Sequence, residues 1–200
     1  SCLASQANSE QAKGMASYMR DQFPFYGLQA AERRKSLKKF MGQESRPGYK
    51  KVETAVKKLW QLPEREFQYF AQELILKYQK EYTKEIIDLF EYMITNKSWW
   101  DTVDHIAKKL VGEYFKSFPE QRNKYIGKWV NSDNIWLKRT ALLFQLGYKE
   151  KTDVELLFTL IEKLKDSDEF FIQKAIGWAL REYSRIEPES VKQFIDNTDL

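Results

Sequence analysis

Glycine and proline are scarce in this chain, 8 and 5 among 200 residues, about half the usual combined level. Long stretches run without the residues that punctuate turns, which argues against turn-rich β architectures. Cysteine is rarer still: Cys2 stands alone, so no disulfide can form within the chain and no thiolate-rich zinc or iron–sulfur site can be built. A single histidine, His105, excludes any site that needs two imidazoles. With scattered carboxylates, this leaves no recognisable metal-ligand set, and neither metal nor cofactor is expected. There is no run of 18 apolar residues and no signal-peptide pattern. A soluble, cytoplasmic protein without membrane contact is the expectation.

What is present is a large apolar and aromatic fraction: 42% hydrophobic residues, including 6 Trp, 11 Tyr and 13 Phe. Such a chain can bury a sizeable core and is not disordered. The net charge of +4 conceals an uneven distribution, because ten basic residues between Arg33 and Lys58 face only Glu44 and Glu53. A field of that sign attracts phosphates and steers polyanions. The same run also reads as an ordinary solvated helix surface, since basic runs are weak signals.

The chain repeats itself. Segments beginning at Glu64, Trp99, Asn134 and Glu169 align at a spacing of 35 residues, and Gln29 to Arg34 falls one period earlier. Ser98, Asp133 and Asp168 stand at equivalent positions and are predicted N-caps, while Ser117 and Thr152 open capping-box patterns for a second helix in each period. Pro119 suits the first turn of such a helix. Trp99, Val103, Ile106, Ala107, Leu110, Val111 and Tyr114 form an apolar stripe at helical steps. Two helices per 35 residues predict an all-α, HEAT-like solenoid, curved, with a basic concave face and a single domain over 1–200.

The pattern predicts helices over 4–22, 29–40, 47–60, 64–80, 83–95, 98–115, 118–130, 133–147, 152–164, 168–184 and 188–197. The longest polar loop is expected over 41–48, and the helix at 133–147 is expected to lie centrally. Because 200 residues are not a whole number of periods, the last helices are expected to be missing.

Register converts the repeat into geometry. Equivalent positions of stacked helices form a column, and Arg34, Tyr69, Asp104, Arg139 and Lys174 make one that is polar where a core column would be aliphatic. Trp100 lies one turn before Asp104, Trp178 one turn after Lys174, and Arg181 three residues further on. Cations would hold phosphates and aromatic rings would meet sugar or base faces. Asp104 is the exception, because a polyanion repels it. Either it pairs with Arg139 or Lys174 as a structural salt bridge, or it does chemistry.

The chemical option suits a cationic base such as an N3- or N7-alkylated purine, already a good leaving group. Cleavage of its N-glycosidic bond develops oxocarbenium character on the sugar. A carboxylate can stabilise that charge and orient or deprotonate water, and tryptophan faces favour positive charge. Arg139 is expected to hold the flanking phosphate, to pair with Asp104, or to do each in turn. Trp99 reads as core, and adjacent His105 points about 100° away from Asp104, which favours a surface or capping role.

The segments SWWDTVDHI (98–106), SDNIWLKRTALLFQLGY (132–148), FFIQKAIGWALREY (170–183), FYGLQAAERR (25–34) and WQLPEREFQ (60–68) resemble the AlkD-like bacterial DNA alkylation repair enzymes over nearly the whole chain and in the same order. The resemblance implies a HEAT-like DNA glycosylase that removes N3- and N7-alkylated purines from duplex DNA without flipping the lesion into a deep pocket. It implies that Trp100 and Trp178 contact the lesioned nucleotide, that Asp104 is the catalytic carboxylate and that Arg139 holds the backbone. It also implies that Gln29 and Tyr18 lie near the DNA channel.

Arg33, Arg34, Lys35, Tyr69, Lys174 and Arg181 complete the expected DNA-binding set. A monomer with no obligate protein partner is expected. The alternatives are a non-catalytic binder of damaged or branched DNA and a protein-binding helical scaffold. The basic column weighs against the scaffold, and Asp104 against the pure binder.

Overall fold

The computed structural model describes residues 3–42 and 47–199; Cys2 and part of the expected 41–48 loop, including Arg46, lie outside the described residues. Among the described residues there are helices and turns and no strand. The fold is all-α and built from HEAT-like helix pairs. The chain divides into two compact units, Ser1–Tyr82 and Thr83–Leu200.

The first unit holds α1 (Ser9–Tyr18), α2 (Ala30–Met41), α3 (Tyr49–Gln61) and α4 (Arg65–Leu76). The second begins with α5 (Ile86–Thr95) and α6 (Trp100–His105), which continues through a π-helical stretch (Ile106–Val111) into α7 (Gly112–Ser117). It then runs through α8 (Pro119–Val130), α9 (Ile135–Leu143), α10 (Val154–Leu164), α11 (Phe170–Tyr183) and α12 (Pro188–Asn197). The first helices of successive pairs start at residues 30, 65, 100, 135 and 170, so the 35-residue interval is a structural repeat.

In the first unit, α4 packs against both α2 and α3. It turns charged and polar side chains inward, since Arg65, Glu66 and Gln68 have no exposure. The Arg65 guanidinium lies 3.8 Å over the Phe23 ring, and the other two hold backbone groups. The Glu66 carboxylate accepts from the backbone N–H groups of Tyr26 (3.1 Å), Gly27 (2.8 Å) and Leu28 (3.1 Å). Hydrogen bonds to a charged group contribute about 1.5–3 kcal/mol each, which offsets the burial. The Gln68 amide donates to the carbonyls of Trp60 (3.1 Å) and Leu62 (2.8 Å), satisfying the C-terminal end of α3. Gly27 is left-handed at φ +89°, and a Cβ there would lie 2.1 Å from the Asn8 carbonyl oxygen. Only glycine permits both the turn and this approach to α1.

In the second unit, α9 touches α5, α6, the π-helical stretch, α8, α10 and α11, the central position expected of it. The predicted apolar stripe is buried from Val103 to Tyr114, and Trp99 is half-buried at its edge.

Several local expectations are corrected. The predicted caps Ser98, Asp133 and Asp168 each lie one residue early, because the N-caps are Trp99, Asn134 and Glu169. Asn134 wins by geometry, its side chain accepting from the N–H groups of Trp136 (2.9 Å) and Leu137 (3.3 Å). The Ser98 hydroxyl instead donates to the Ile94 carbonyl of the preceding helix. Asp153, not Thr152, caps α10 by accepting from Leu156 N–H. The Ser117 hydroxyl donates back to Glu113, leaving Phe118 to precede Pro119 in α8.

The long helix at 4–22 divides at Ala7 and Asn8 into a short 3-10 turn and α1, which ends before the left-handed Arg20 and Asp21. The helix expected to reach residue 147 ends at Leu143, and Gly147 adopts φ +93° in the turn beyond.

The π-helical stretch breaks the regular 3.6-residue register at the residue after His105, where a wide turn accommodates one extra residue. It delivers Gly112 against α9: a Cβ on Gly112 would lie 2.6 Å from the Phe144 carbonyl oxygen, and the Gly112 carbonyl accepts from the Tyr148 hydroxyl. Gly112→Ala is expected to destabilise the protein by about 1–3 kcal/mol through this backbone clash. Gly127→Ala, with open space around it on α8, should be neutral or stabilise by up to about 1 kcal/mol. Urea unfolding of the two variants checks the contrast; equal effects would contradict the packing.

Candidate active site

Three first helices of the second unit bring a polar cluster together. Asp104 is the fifth residue of α6, Arg139 the fifth of α9, and α11 begins beside them. Arg139 grips Asp104 with a two-pronged ion pair, Nε to Oδ1 at 2.7 Å and Nη2 to Oδ2 at 2.8 Å. Nη1 donates to the backbone carbonyl of Phe171 at 2.5 Å. The Arg139 side chain is 6% exposed and that of Asp104 15%, so the carboxylate is the member of the pair that keeps access to solvent.

Burial pushes the Asp104 carboxyl above its ordinary value, and the hydrogen bonds and charge of Arg139 oppose that rise; Asp101, one turn earlier, adds to it. The arrangement yields a desolvated acid whose charge is held by a single fixed partner. Of the two pairings open to Asp104, the structure forms the one with Arg139. Lys174 is exposed, its Nζ 5.4 Å from the centre of the Phe170 ring.

Trp100 precedes Asp104 by one turn and is half-buried. On α11, Trp178 lies two turns along the stripe that starts at Phe171, roughly 10 Å down the helix axis, and is also half-buried. Lys174 and Arg181 flank it as exposed cations. Among the described residues no carboxylate pairs with either. Trp100 shares a helix with the acid, and Trp178, Lys174 and Arg181 share α11 with the carbonyl that holds Arg139; acid, aromatic faces and cations are the groups that a ligand with a positive centre and negative phosphates would need.

The family model for DNA alkylation repair enzymes matches residues 1–199. The chain belongs to the DNA alkylation repair enzyme family. A solved structure described as a predicted DNA alkylation repair enzyme from Enterococcus faecalis is 33% identical, with a TM-score of 0.87 over 97% of this chain and 91% of that one. Two structures from Streptococcus mutans share the fold. The protein smu.31 is 17% identical at a TM-score of 0.66, over 95% of this chain and 91% of its own. AlkD2 is 18% identical at 0.67, over 94% and 91%. No curated protein matches the chain.

The remaining expected site residues of this DNA alkylation repair family member lie in the first unit. Tyr18, at the end of α1, is 71% exposed. Gln29 is exposed at the start of α2, where its backbone N–H donates to the Glu32 carboxylate. Arg34 and Lys35 are exposed, and Arg34 lies 3.5 Å from Glu73.

Arg33 departs from the expected surface set. It is buried, donates to Glu73 at 3.0 Å and lies over the Tyr69 ring at 4.7 Å. The reason is helical geometry: neighbouring residues point about 100° apart, so Arg33 and Arg34 cannot share one face. Tyr69 is half-buried against Arg33, Arg65 and Phe25. Nothing in the sequence marks Glu73 as a partner, since it stands at no repeat position shared with Arg33, and a backbone acceptor such as the Phe171 carbonyl leaves no mark in a sequence.

Among the described residues no group of three or more His, Cys, Asp or Glu is placed to hold a metal ion. Among the described residues no helix is long and apolar enough to cross a membrane.

Arg33→Gln is expected to destabilise the fold by about 3 kcal/mol, since it leaves Glu73 buried without its main partner. Arg34→Gln at the exposed end of the same cluster should cost at most about 1 kcal/mol. Chemical denaturation compares them, and an equal cost would contradict the inward placement of Arg33.

Proposed function

We propose that this DNA alkylation repair family member is a monofunctional glycosylase that hydrolyses the N-glycosidic bond of N3- and N7-alkylated purines in duplex DNA. The observation that carries the reading is Asp104: a half-buried carboxylate, fixed by one arginine and flanked on its own helix by Trp100.

The reaction needs a single acid–base group because the substrate base is already cationic. As the bond between C1′ and the purine nitrogen breaks, its electron pair neutralises the alkylated base, which leaves without protonation. Positive charge develops at C1′ and the ring oxygen, where the Asp104 carboxylate stabilises it. A water adds to C1′ and passes a proton to Asp104. Its oxygen becomes the 1′-hydroxyl of an abasic sugar, and the proton returns to solvent.

Trp100 and Trp178 supply faces for the cationic nucleotide, and Arg139 aligns the acid. Lys174 and Arg181 take phosphates beside the lesion, and Arg34, Lys35, Gln29, Tyr69 and Tyr18 contribute contacts to the duplex.

Asp104→Asn is expected to lower single-turnover release of N7-methylguanine by at least about a hundredfold, with duplex affinity unchanged or tighter. Chromatography of released bases decides it; undiminished release would sink the assignment. If the wild-type protein binds alkylated duplex but frees no base, it is a binder. Lys174→Gln and Arg181→Gln should each weaken duplex binding and flatten the plot of log affinity against log salt by about 0.9. A slope equal to that of the wild type would remove those side chains from the interface.

A further inference from the structure

The Arg139 guanidinium is held at three of its edges, and the third hold is unaccounted for by the chemistry above. Nε and Nη2 engage the two oxygens of Asp104. Nη1 engages the Phe171 carbonyl at 2.5 Å. A guanidinium bound only to a carboxylate can still pivot with it, because the fork leaves their common rotation free. A backbone carbonyl on the opposite edge removes that freedom, and a carbonyl has a second lone pair to give while α11 uses the first.

The carbonyl is itself anchored. Phe171 is the second residue of α11, Trp136 the second of α9, and Trp99 the N-cap of α6. Their rings form a closed triad, with centroids 4.9 Å apart for Trp136 and Phe171, 5.2 Å for Trp99 and Phe171, and 5.8 Å for Trp99 and Trp136. Aromatic pairs at these separations attract beyond their buried area. The triad therefore clasps the N-terminal ends of the three helices that carry Asp104, Arg139 and the anchoring carbonyl. The Phe171 ring also faces the guanidinium, with Cζ 5.8 Å from its centroid.

We propose that Phe171 is a positioning residue for Asp104: its carbonyl and its ring, backed by Trp99 and Trp136, fix Arg139 in the plane that presents the Asp104 carboxylate to its ligand. The proposal rests on the reading of Asp104 as the working acid. Phe171 touches no reacting atom and acts through Arg139. The charged groups acting on the Asp104 carboxylate are Arg139 from α9 and Asp101 from its own helix. A loosened Arg139 withdraws the first while leaving the second, so the carboxyl should titrate higher.

The experiment follows the Asp104 carboxyl by carbon NMR titration and the Arg139 Nε–H by its nitrogen signal in the full chain, for wild type, Phe171→Leu, Phe171→Ala, Arg139→Gln and the Arg139→Gln/Phe171→Ala pair. The expected midpoints rise in the order Phe, Leu, Ala at position 171, the Arg139 signal weakens in the same order, and the double variant titrates no higher than Arg139→Gln. Should Phe171→Ala not fold, Phe171→Leu still shows both effects.

An Asp104 midpoint and an Arg139 signal unchanged in a folded position-171 variant would overturn the proposal, as would a double variant whose shift is the sum of the singles. Neither readout needs base release, so a protein that frees no alkylated base while showing these shifts refutes the glycosylase reading and leaves the positioning geometry standing.

Discussion

The pairing of Asp104 with Arg139 is the constraint on which the second unit's site depends. Two unit charges at contact attract by about 4 kcal/mol at an effective dielectric constant near 20, while taking each out of water costs several kcal/mol. The net contribution to stability is therefore small, yet loss of either partner strands the other in a desolvated place. Burial drives the Asp104 carboxyl upward and Arg139 draws it back, so the acid's charge state is tied to the position of one side chain. That side chain in turn bridges α6, α9 and α11, because it bonds to Asp104 from one side and to the Phe171 carbonyl on the other. A single planar group thus couples the packing of three helices to the ionisation of one carboxylate.

The pair was legible in the sequence because the period made it so. Asp104 and Arg139 are 35 residues apart, the interval at which the first helices restart, and identical register places them side by side on neighbouring helices. The apolar stripe from Val103 to Tyr114 was legible for the same reason, since burial selects residues at helical spacing. What stayed hidden depended on atoms that carry no residue code or on single-residue shifts. The Phe171 carbonyl belongs to the first class. The caps belong to the second: Asp133 and Asn134 are both good N-cap residues, and only the backbone angle at the helix entrance decides that Asn134 accepts the two N–H groups. The π-helical stretch after His105 was hidden because a pattern read at 3.6 residues per turn has no place for an extra one.

Arg33 shows the limit of reading charge as surface. The basic run from Arg33 to Lys58 looked like one polyanion-attracting field, but the structure divides it by orientation. Arg33 turns inward to Glu73 and the Tyr69 ring, whereas Lys50, Lys51 and Lys58 lie exposed on α3, opposite the buried Val52, Val56 and Trp60. In α4 the polar set of Arg65, Glu66, Gln68 and Glu73 is buried in addition to the apolar Phe67, Ala71, Leu74 and Ile75. This carries a cost in desolvation that an apolar core would avoid, and it returns definition: Glu66 gathers three successive backbone N–H groups and Gln68 closes the end of α3. Such a network tolerates one arrangement, because each displaced member leaves a buried partner unsatisfied.

The same economy of donors separates two tasks that one arginine could be expected to share. Arg139 has five N–H groups, and three are committed to Asp104 and Phe171 within a side chain only 6% exposed. To reach a phosphate it would have to release the carboxylate, and release would leave Asp104 desolvated beside Asp101 at the moment a polyanion approaches. Lys174 and Arg181 stand in the opposite condition, exposed on α11 one turn before and almost one turn after Trp178. Their charges are hydrated and mobile, suited to a backbone of repeating phosphates. A cation that holds the acid must be rigid and dry; a cation that holds a phosphate chain gains from being neither. Under the proposed glycosylase reading, the division between the interior arginine and the exposed cations answers that conflict and would let the site hold a negative charge toward a ligand that is itself predominantly negative.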